Sequence, residues 1–301
     1  MNQIKRPKRA ISGWVVLDKP YDMTSTQAVG KIRWLFNAAK AGHAGTLDPL
    51  ATGILPIALG EATKAVPQVQ DGTKIYRFAI QWGQATTTDD AEGEVVATSD
   101  VRPDRAALEA VLPGFTGTIL QRPPIFSALK VDGERAYDLA RAGEKVELAP
   151  REITIDALRV IEHGAERSVL EARCGKGTYV RALARDIAEA LCTRGHVAML
   201  HRAAVGPFTD SDAVSIEQLE ALDPEARDAL LKPIRSGFAE LPEIRLDAQQ
   251  AGAVRHGNAV LLTGAGAPVS LDECWASFKG EVLATGWVEH GQFKCRRVFN
   301  S

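Results

Sequence analysis

Residues 42–53 read GHAGTLDPLATG and run directly into an apolar segment, residues 54–59. Three glycines among these twelve residues allow tight turns and close approach of a bound partner, because glycine has no Cβ atom. The one acidic side chain is Asp48, and Pro49 favours an extended backbone there and removes an amide donor. Such a pattern is typical of a turn or a helix cap, and it is also a way to present a nucleophile or a base from a stiff loop.

The segments around this loop predict an α+β fold with a mostly antiparallel mixed sheet. Residues 74–83 alternate between apolar and polar side chains, which predicts a half-buried strand, and Ser25 is predicted to cap a helix that reaches residue 36. Pro56 suggests that the strand at 54–59 lies at an edge or carries a bulge. Further strands are predicted at 13–17, 94–98, 127–131, 153–160, 169–174 and 199–205, and helices at 104–112, 134–142 and 179–191, the last of them capped by Thr178. Strands and helices do not alternate regularly, so a doubly wound sheet is not expected.

The chain changes character near residue 240. An acidic helical segment is broken at Lys232-Pro233 and again at Leu241-Pro242. Beyond these breaks come a helix at 248–255 and short apolar β segments at 274–278, 282–288 and 293–299. We therefore predict two domains, residues 1–240 and residues 241–301.

Composition indicates a globular protein in the cytoplasm. The 301 residues are 45% hydrophobic and 25% charged, and no apolar run approaches membrane-spanning length. The basic start is followed by too short an apolar run for a secretory signal. Four cysteines without a C-x-x-C pair predict neither a disulfide framework nor a zinc site.

Charge is distributed unevenly although the net charge is only −2. Residues 173–202 carry six basic and two acidic side chains, a balance of +4, whereas residues 208–247 carry four basic and ten acidic ones, a balance of −6. One interpretation is a face that attracts phosphates and another that repels them. The other is two ordinary solvated faces, and charge alone does not decide between them.

The GHAGTLDPLATG stretch, continued by GEATK at residues 60–64, resembles the signature of the TruB family, the bacterial tRNA pseudouridine synthases that act on the T loop. The resemblance recurs in the same order, and with similar spacing, at Lys19-Pro20, Tyr76, Arg122-Pro123-Pro124 and residues 177–181, GTYVR. It covers nearly the whole chain. The tail after residue 241 more loosely resembles a PUA domain, a small pseudo-barrel that helps to hold tRNA in this family.

The resemblance implies an isomerase that converts uridine 55 of tRNA to pseudouridine. The glycosidic C–N bond breaks, the base turns while bound, and it is rejoined through carbon. No cofactor is implied, and the chain carries no P-loop, G-x-G-x-x-G or H-E-x-x-H motif. The implied partner is tRNA, through its T arm and, at the PUA-like domain, its acceptor stem. We expect a monomer that does not bind membranes.

The resemblance also assigns roles to residues. Asp48 matches the catalytic aspartate, Arg181 the arginine that pairs with it, and Tyr76 the ring placed against the target base. On pattern alone, Tyr76 is an inward residue of an alternating strand and Arg181 a residue on a helix surface. No metal ligand is implied.

Six further residues match positions that contact the substrate. His43 matches a histidine near the extruded nucleotide, Tyr179 lines the pocket with Tyr76, and Asp90 matches an acidic position near the active site. The others, expected to contact phosphates or the pocket, are Lys19, Lys64 and Arg122. Ordinary surface or turn positions are the alternative for each of these residues.

Three other functions remain open from the sequence. A tRNA-folding chaperone would need no catalytic aspartate. A nucleoside hydrolase would use Asp48 as a nucleophile and would need a second carboxylate to manage water. A related synthase that works inside a guide-RNA complex would need docking surfaces for its partners, and the sequence shows no extra domain for them.

Overall fold

The computed structural model of the chain describes residues 7–126, 130–131, 134–135 and 148–300. The strands are β1 Gly13–Lys19, β2 Ala41–His43, β3 Ala51–Leu59, β4 Lys74–Trp82, β5 Gln84–Thr86, β6 Val95–Thr98, β7 Gly117–Gln121, β8 Lys130–Val131, β9 Glu134–Arg135, β10 Arg151–His163, β11 Arg167–Cys174, β12 Gly195–Val205, β13 Phe208–Thr209, β14 Glu243–Arg245, β15 Val260–Leu261, β16 Leu271–Phe278, β17 Glu281–Glu289 and β18 Gln292–Val298. The α-helices are Ser25–Leu35, Val66–Asp71, Arg105–Val111, Val180–Ala190, Ile216–Ala221, Pro224–Ala229 and Ala248–Arg255. Short 3-10 helices are Gly60–Ala65, Leu112–Phe115, Asp210–Asp212 and Ile234–Phe238.

The centre of the molecule is a nine-stranded sheet with the order β1-β3-β12-β4-β11-β10-β7, to which β2 adds beside β3 and β13 beside β12. Among the described strands of this sheet, β3 and β12 form the one parallel pair, and every other pair is antiparallel. The predicted α+β class with a mostly antiparallel mixed sheet is therefore confirmed.

Alternation along β4 explains how the sheet is covered on one face. Phe78, Ile80 and Trp82 are buried, as the pattern predicts. The helix Val180–Ala190 places Leu183 and Ile187 in the same apolar core. The sheet and this helix therefore bury their apolar faces together, which is the main source of stability for such a layered domain.

The strand β3 lies inside the sheet, so the edge position suggested by Pro56 is wrong. One side of β3 pairs with β1 along its length, while the other side pairs with β12 at residues 51–53 and with β2 at residues 57–59. The Pro56 carbonyl accepts from the Ala44 amide, 2.9 Å away, so the Pro56 nitrogen faces the same side, opposite Ala44. The missing amide omits one ladder hydrogen bond at the point where the pairing of β2 with β3 ends.

Two helix predictions differ from the structure. Thr24, not Ser25, caps the first helix, in a capping box with Gln27. The strand predicted at 127–131 and the helix predicted at 134–142 lie mostly outside the described residues. Within the described part, Glu134–Arg135 is a strand paired with Lys130–Val131, and not the start of a helix.

The C-terminal part forms a separate open sheet with the order β14-β16-β17-β18-β15, packed against the helix Ala248–Arg255. This agrees with the predicted small PUA-like barrel. The side chains of Trp275, on β16, and Phe299, just after β18, pack in an apolar cluster with Phe238. The ring centroid of Phe238 lies 5.7 Å from that of Trp275 and 5.8 Å from that of Phe299. The small sheet thus shares buried surface with the large one, while the division at residue 240 stays a prediction.

No helix in the described part of the chain combines the length and the apolar character that crossing a membrane requires.

Candidate active site

The loop that carries Asp48 is held at both ends. Ser25, at the start of the first helix, donates its hydroxyl to the Leu47 carbonyl at 3.0 Å and accepts from the Leu47 amide at 2.9 Å. Gly53, at φ +95°, lies so close to β12 that a Cβ atom would sit 2.4 Å from the Arg202 carbonyl oxygen. Glycine is therefore required at residue 53, and the loop is stiff where it enters and leaves Asp48.

Asp48 faces a buried guanidinium. Its Oδ2 lies 3.0 Å from Arg181 Nη2, and the side chains of Asp48 and Arg181 are 38% and 7% exposed. Arg181 Nη1 lies 3.3 Å from Asp90 Oδ2, and the Asp90 side chain is only 3% exposed. The structure therefore brings together Asp48, Arg181 and Asp90, with one carboxylate open to solvent and one closed.

Arg181 is fixed by its helix and by two further acceptors. It donates to the Thr88 carbonyl at 3.0 Å and to the Phe126 carbonyl at 2.9 Å. The Arg181 guanidinium thus contacts four acceptors, two carboxylates and two carbonyls, and together they set the direction of its plane.

The start of this helix is satisfied by a side chain from β7. Gln121 accepts from the Tyr179 amide at 2.9 Å and donates to the Tyr179 carbonyl at 3.1 Å. The predicted cap at Thr178 is wrong, because Tyr179 is the cap residue and the Thr178 hydroxyl donates to the Gly175 carbonyl. Tyr179 therefore lies at the N-terminus of the helix that carries Arg181.

Asp90 sits in a closed turn. Its Oδ1 accepts from the Thr88 hydroxyl at 2.5 Å and from the Glu92 amide at 3.0 Å. The turn is joined to β12 because the Val197 amide donates to the Asp89 carbonyl at 3.0 Å. Asp89 itself pairs with Arg185 at 2.9 Å, and burial raises the pKa of Asp89. The two adjacent aspartates thus form ion pairs with different arginines.

Tyr76 and His43 are both near enough to Arg202 for its charge to affect their pKa values. Tyr76 is half-buried on β4, and burial raises the pKa of its hydroxyl while the Arg202 charge opposes the rise. Burial and then the Arg202 charge lower the pKa of His43. Its buried Nδ1 has no hydrogen-bond partner among the described residues, which suits a neutral imidazole.

Lys19 is completely buried beneath the loop. Its Nζ donates to the carbonyls of Pro20 at 2.8 Å, Met23 at 2.7 Å and Pro49 at 3.2 Å. Burial lowers the pKa of Lys19 to about 8, with Asp48 acting in the opposite direction. In this structure the amine holds the backbone next to Asp48.

Lys64 and Arg122 are not gathered with the other residues. Lys64 follows β3, whose nine residues at about 3.3 Å each separate it from Asp48. Its Nζ pairs with Glu61 at 2.6 Å and donates to the Val298 carbonyl at 2.9 Å, so Lys64 links the two sheets. The Arg122 side chain is exposed, while its carbonyl accepts from Arg185 at 2.8 Å.

Sequence reasoning missed Arg202 and Gln121, both almost fully buried at the site. Arg202 follows the apolar start of β12, and a charged residue inside a buried strand is the signal that marks it. Gln121 has no such signal, because its partner at Tyr179 is distant in the chain. Among the described residues, no group of three or more His, Cys, Asp or Glu side chains is placed to hold a metal ion.

The arrangement supports chemistry at a single carboxylate. Asp48 is accessible, so its carboxylate can reach a bound substrate. Asp90 is enclosed, and its carboxylate contacts Arg181 instead. A guanidinium beside Asp48 stabilises its ionised form when a bound group excludes water. A nucleophile or general base is therefore available at Asp48.

Comparison with known proteins gives consistent matches over the chain. Residues 33–180 match the family model described as TruB family pseudouridylate synthase, N-terminal domain, and residues 181–239 match the tRNA pseudouridylate synthase B C-terminal domain. The tRNA pseudouridine synthase B of Brucella anthropi is 52% identical over an alignment of 318 positions, which covers 99% of this chain and 98% of that protein. That of Bradyrhizobium diazoefficiens is 52% identical, covering 99% of this chain and 89% of that protein.

Solved structures agree in fold. A chain of a Cbf5-Nop10-Gar1 complex superposes with a TM-score of 0.73 at 25% identity, covering 96% of this chain and 84% of that one. An H/ACA RNP bound to a substrate RNA that contains 2′-deoxyuridine gives a TM-score of 0.75 at 22% identity, with coverage of 96% and 85%. With half of the residues identical to curated relatives over nearly the full length, the chain belongs to the TruB family of pseudouridylate synthases.

Proposed function

We propose that the protein is a tRNA pseudouridine synthase that isomerises uridine 55 in the T loop. The observation that supports it most directly is the accessible Asp48 carboxylate, 3.0 Å from the buried Arg181 guanidinium. The curated relatives named tRNA pseudouridine synthase B, at about half identity, support tRNA as the substrate.

The reaction exchanges one bond to the ribose for another. The N1–C1′ bond of the uridine breaks, the base turns within the pocket, and a C5–C1′ bond forms. C5 then loses its proton to solvent and N1 gains one, so no oxidant or group donor is consumed. Asp48 serves as a nucleophile or as a base on the sugar, and either role needs the ionised carboxylate.

Asp48, Arg181 and Asp90 have different parts in the proposed mechanism. Arg181 offsets the desolvation of Asp48 when a base covers it. Asp90, nearly without solvent contact, keeps the guanidinium in place through its 3.3 Å contact. Because one Arg181 charge is shared by two carboxylates, the three residues carry a net charge of −1 when both aspartates are ionised.

A uridine inside the folded T loop has to leave its stack before Asp48 can reach it, at a cost of roughly a few kcal/mol. Stacking on the Tyr76 ring offsets about 1–3 kcal/mol of this cost. His43 is proposed to occupy the position of the extruded nucleotide, and Tyr179 to line the pocket with Tyr76.

We further propose that the C-terminal sheet contacts the acceptor stem, and that the protein acts as a monomer in the cytoplasm without a cofactor. The shared apolar cluster of Phe238, Trp275 and Phe299 supports the first point, because it fixes the small sheet against the catalytic part. A fixed second surface adds contacts to tRNA without the entropic cost of docking a loose domain.

The test is tritium release from an unmodified tRNA transcript that carries [5-³H]uridine. Wild type is expected to release the label of one uridine per tRNA, and a transcript with cytidine at position 55 is expected to release none. Asp48→Asn is expected to abolish release while changing the tRNA Kd by less than about twofold, because phosphate contacts dominate affinity.

Asp71→Asn is the matched control, since this exposed carboxylate pairs only with Lys176 at 2.9 Å in the described structure. It should release tritium at the wild-type rate. Release by Asp48→Asn, or release by wild type from the cytidine-55 transcript, would refute the role of Asp48 or the choice of uridine 55, respectively.

A further inference from the structure

Arg202 is a fully buried arginine whose guanidinium donates hydrogen bonds to the backbone before and after Asp48. Its side chain is 1% exposed. Nη2 donates to the Gly45 carbonyl at 3.0 Å and Nη1 to the Thr46 carbonyl at 3.3 Å, just before Asp48. Nε donates to the Ile54 carbonyl at 2.8 Å, after the loop has entered β3. One planar group therefore spans the two ends of the segment that carries Asp48.

The same residue also lies beside Tyr76. Arg202 and Tyr76 are directly opposite each other on the antiparallel strands β12 and β4. Burial raises the pKa of the Tyr76 hydroxyl, and the nearby Arg202 charge opposes this rise. Arg202 thus connects the loop of Asp48 with the ring against which the target base is proposed to stack.

The hydrogen-bond partners of Arg202 in the described structure are three backbone carbonyls. No carboxylate oxygen of a described residue lies within the 4.0 Å ion-pair limit of Arg202, whereas Arg181 has two such partners. Burying a cation without a counter-charge is costly, so the hydrogen-bond geometry has to compensate. A guanidinium offers five donors in a fixed fork, which an ammonium cannot reproduce.

We propose that Arg202 is a positioning residue that sets the Asp48 loop and the Tyr76 ring in register with each other. The inference rests on the proposed function. Substrate binds through other groups, so loss of the fork should slow the chemical step and leave tRNA affinity in place. A displacement of about 1 Å at a reacting group can lower a rate by roughly 100-fold.

The experiment compares Arg202→Lys and Arg202→Ala with Arg77→Lys and Arg77→Ala. Arg77 is a suitable control because it follows Tyr76 on β4, points to the opposite face and is 51% exposed in its pair with Glu171. Single-turnover tritium release at saturating tRNA and the tRNA Kd are measured for each folded variant. We expect both Arg202 variants to be slowed, by roughly 10-fold or more, with Kd unchanged, and the Arg77 variants to keep the wild-type rate.

Chemical rescue separates geometry from charge. Methylguanidinium fills the space left by Arg202→Ala and can restore the fork, so the single-turnover rate is expected to recover at least in part. Methylammonium carries the same charge and is not expected to restore it. Equal rescue by both cations would show that charge alone matters and would overturn the positioning role.

Other outcomes also decide the question. A wild-type rate for Arg202→Lys, or a rise in Kd equal to the loss of rate, would overturn the inference while leaving the proposed function standing. Absence of release by wild type would refute the proposed function itself. If neither Arg202 variant folds, Arg202→Gln, which keeps only one amide group of the fork's donors, is measured in the same way, and a wild-type rate would then overturn the positioning role.

Discussion

Asp90→Ala removes a carboxylate with only 3% of its side chain exposed. The substitution takes away the 3.3 Å contact with Arg181 and leaves the Thr88 hydroxyl and the Glu92 amide without their acceptor. Three groups that are satisfied in the native site therefore lose a partner at once. The perturbation is local, because Ala retains the backbone of the turn.

The expected cost follows from these lost contacts. Removing one partner of a buried ion pair costs about 3–5 kcal/mol. Arg181 keeps Asp48 and two carbonyl acceptors, so we expect the lower end, about 3 kcal/mol, for Asp90→Ala. Asp90→Asn retains an oxygen that accepts from Thr88 and Glu92, but an NH2 group replaces the Oδ2 that faces Arg181, so about 2 kcal/mol is expected.

Urea unfolding at neutral pH measures both values, with Asp89→Ala as the control. Asp89 is adjacent and pairs with Arg185, but both of those side chains are more exposed, at 16% and 22%. The order of stability should be wild type, Asp90→Asn, Asp90→Ala, with Asp89→Ala above Asp90→Ala. A loss for Asp90→Ala smaller than for Asp89→Ala would refute the view that Asp90 anchors a buried arginine.

Two further predictions concern the loop itself. Gly53→Ala is expected to lower the free energy of unfolding by about 2 kcal/mol or more, because Gly53 has φ +95° and a Cβ atom would meet the Arg202 carbonyl at 2.4 Å. Gly42→Ala, with no atom within 4 Å of its Cβ position, should change it by less than about 0.5 kcal/mol, and equal losses in urea unfolding would contradict this. For His43, burial lowers the pKa below the ordinary 6.5, so the unfolded chain binds more protons than the folded one as pH falls below 6.5. Wild type should therefore lose stability between pH 6.5 and 5 more steeply than His43→Gln, and parallel pH profiles would show that His43 is not the group responsible.

Local pattern was sufficient to predict much of the framework. The alternation in residues 74–83 predicts β4 with the correct buried face, and the glycine-rich stretch at 42–53 correctly precedes a buried strand. These features depend on neighbours a few residues apart, which a single sequence displays. The shift of the first cap from Ser25 to Thr24 shows the limit, since Ser25 is recruited by Leu47, 22 residues away.

Contacts over long separations could not be predicted in this way. Arg202 and Gly45 are 157 residues apart, and Lys64 and Val298 are 234 apart. Nothing near Lys64 in sequence indicates that its ammonium joins the two sheets. Such pairings follow from the strand order, in which β12 is inserted between β3 and β4 although it follows them by more than a hundred residues.

The basic segment at residues 173–202 shows why the count of charges was misleading. The two interpretations open from sequence were a phosphate-binding face and an ordinary solvated face, and both assumed that the six basic side chains lie on the surface. Arg181 and Arg202 are buried, and Arg185 and Lys176 are paired with aspartates at 2.9 Å. The two buried charges act on the Asp48 loop from within the fold. Two of the six positive charges are therefore internal to the candidate site, whereas Arg173, Lys176 and Arg194 are exposed, so only this exposed half of the segment is placed to attract RNA at long range.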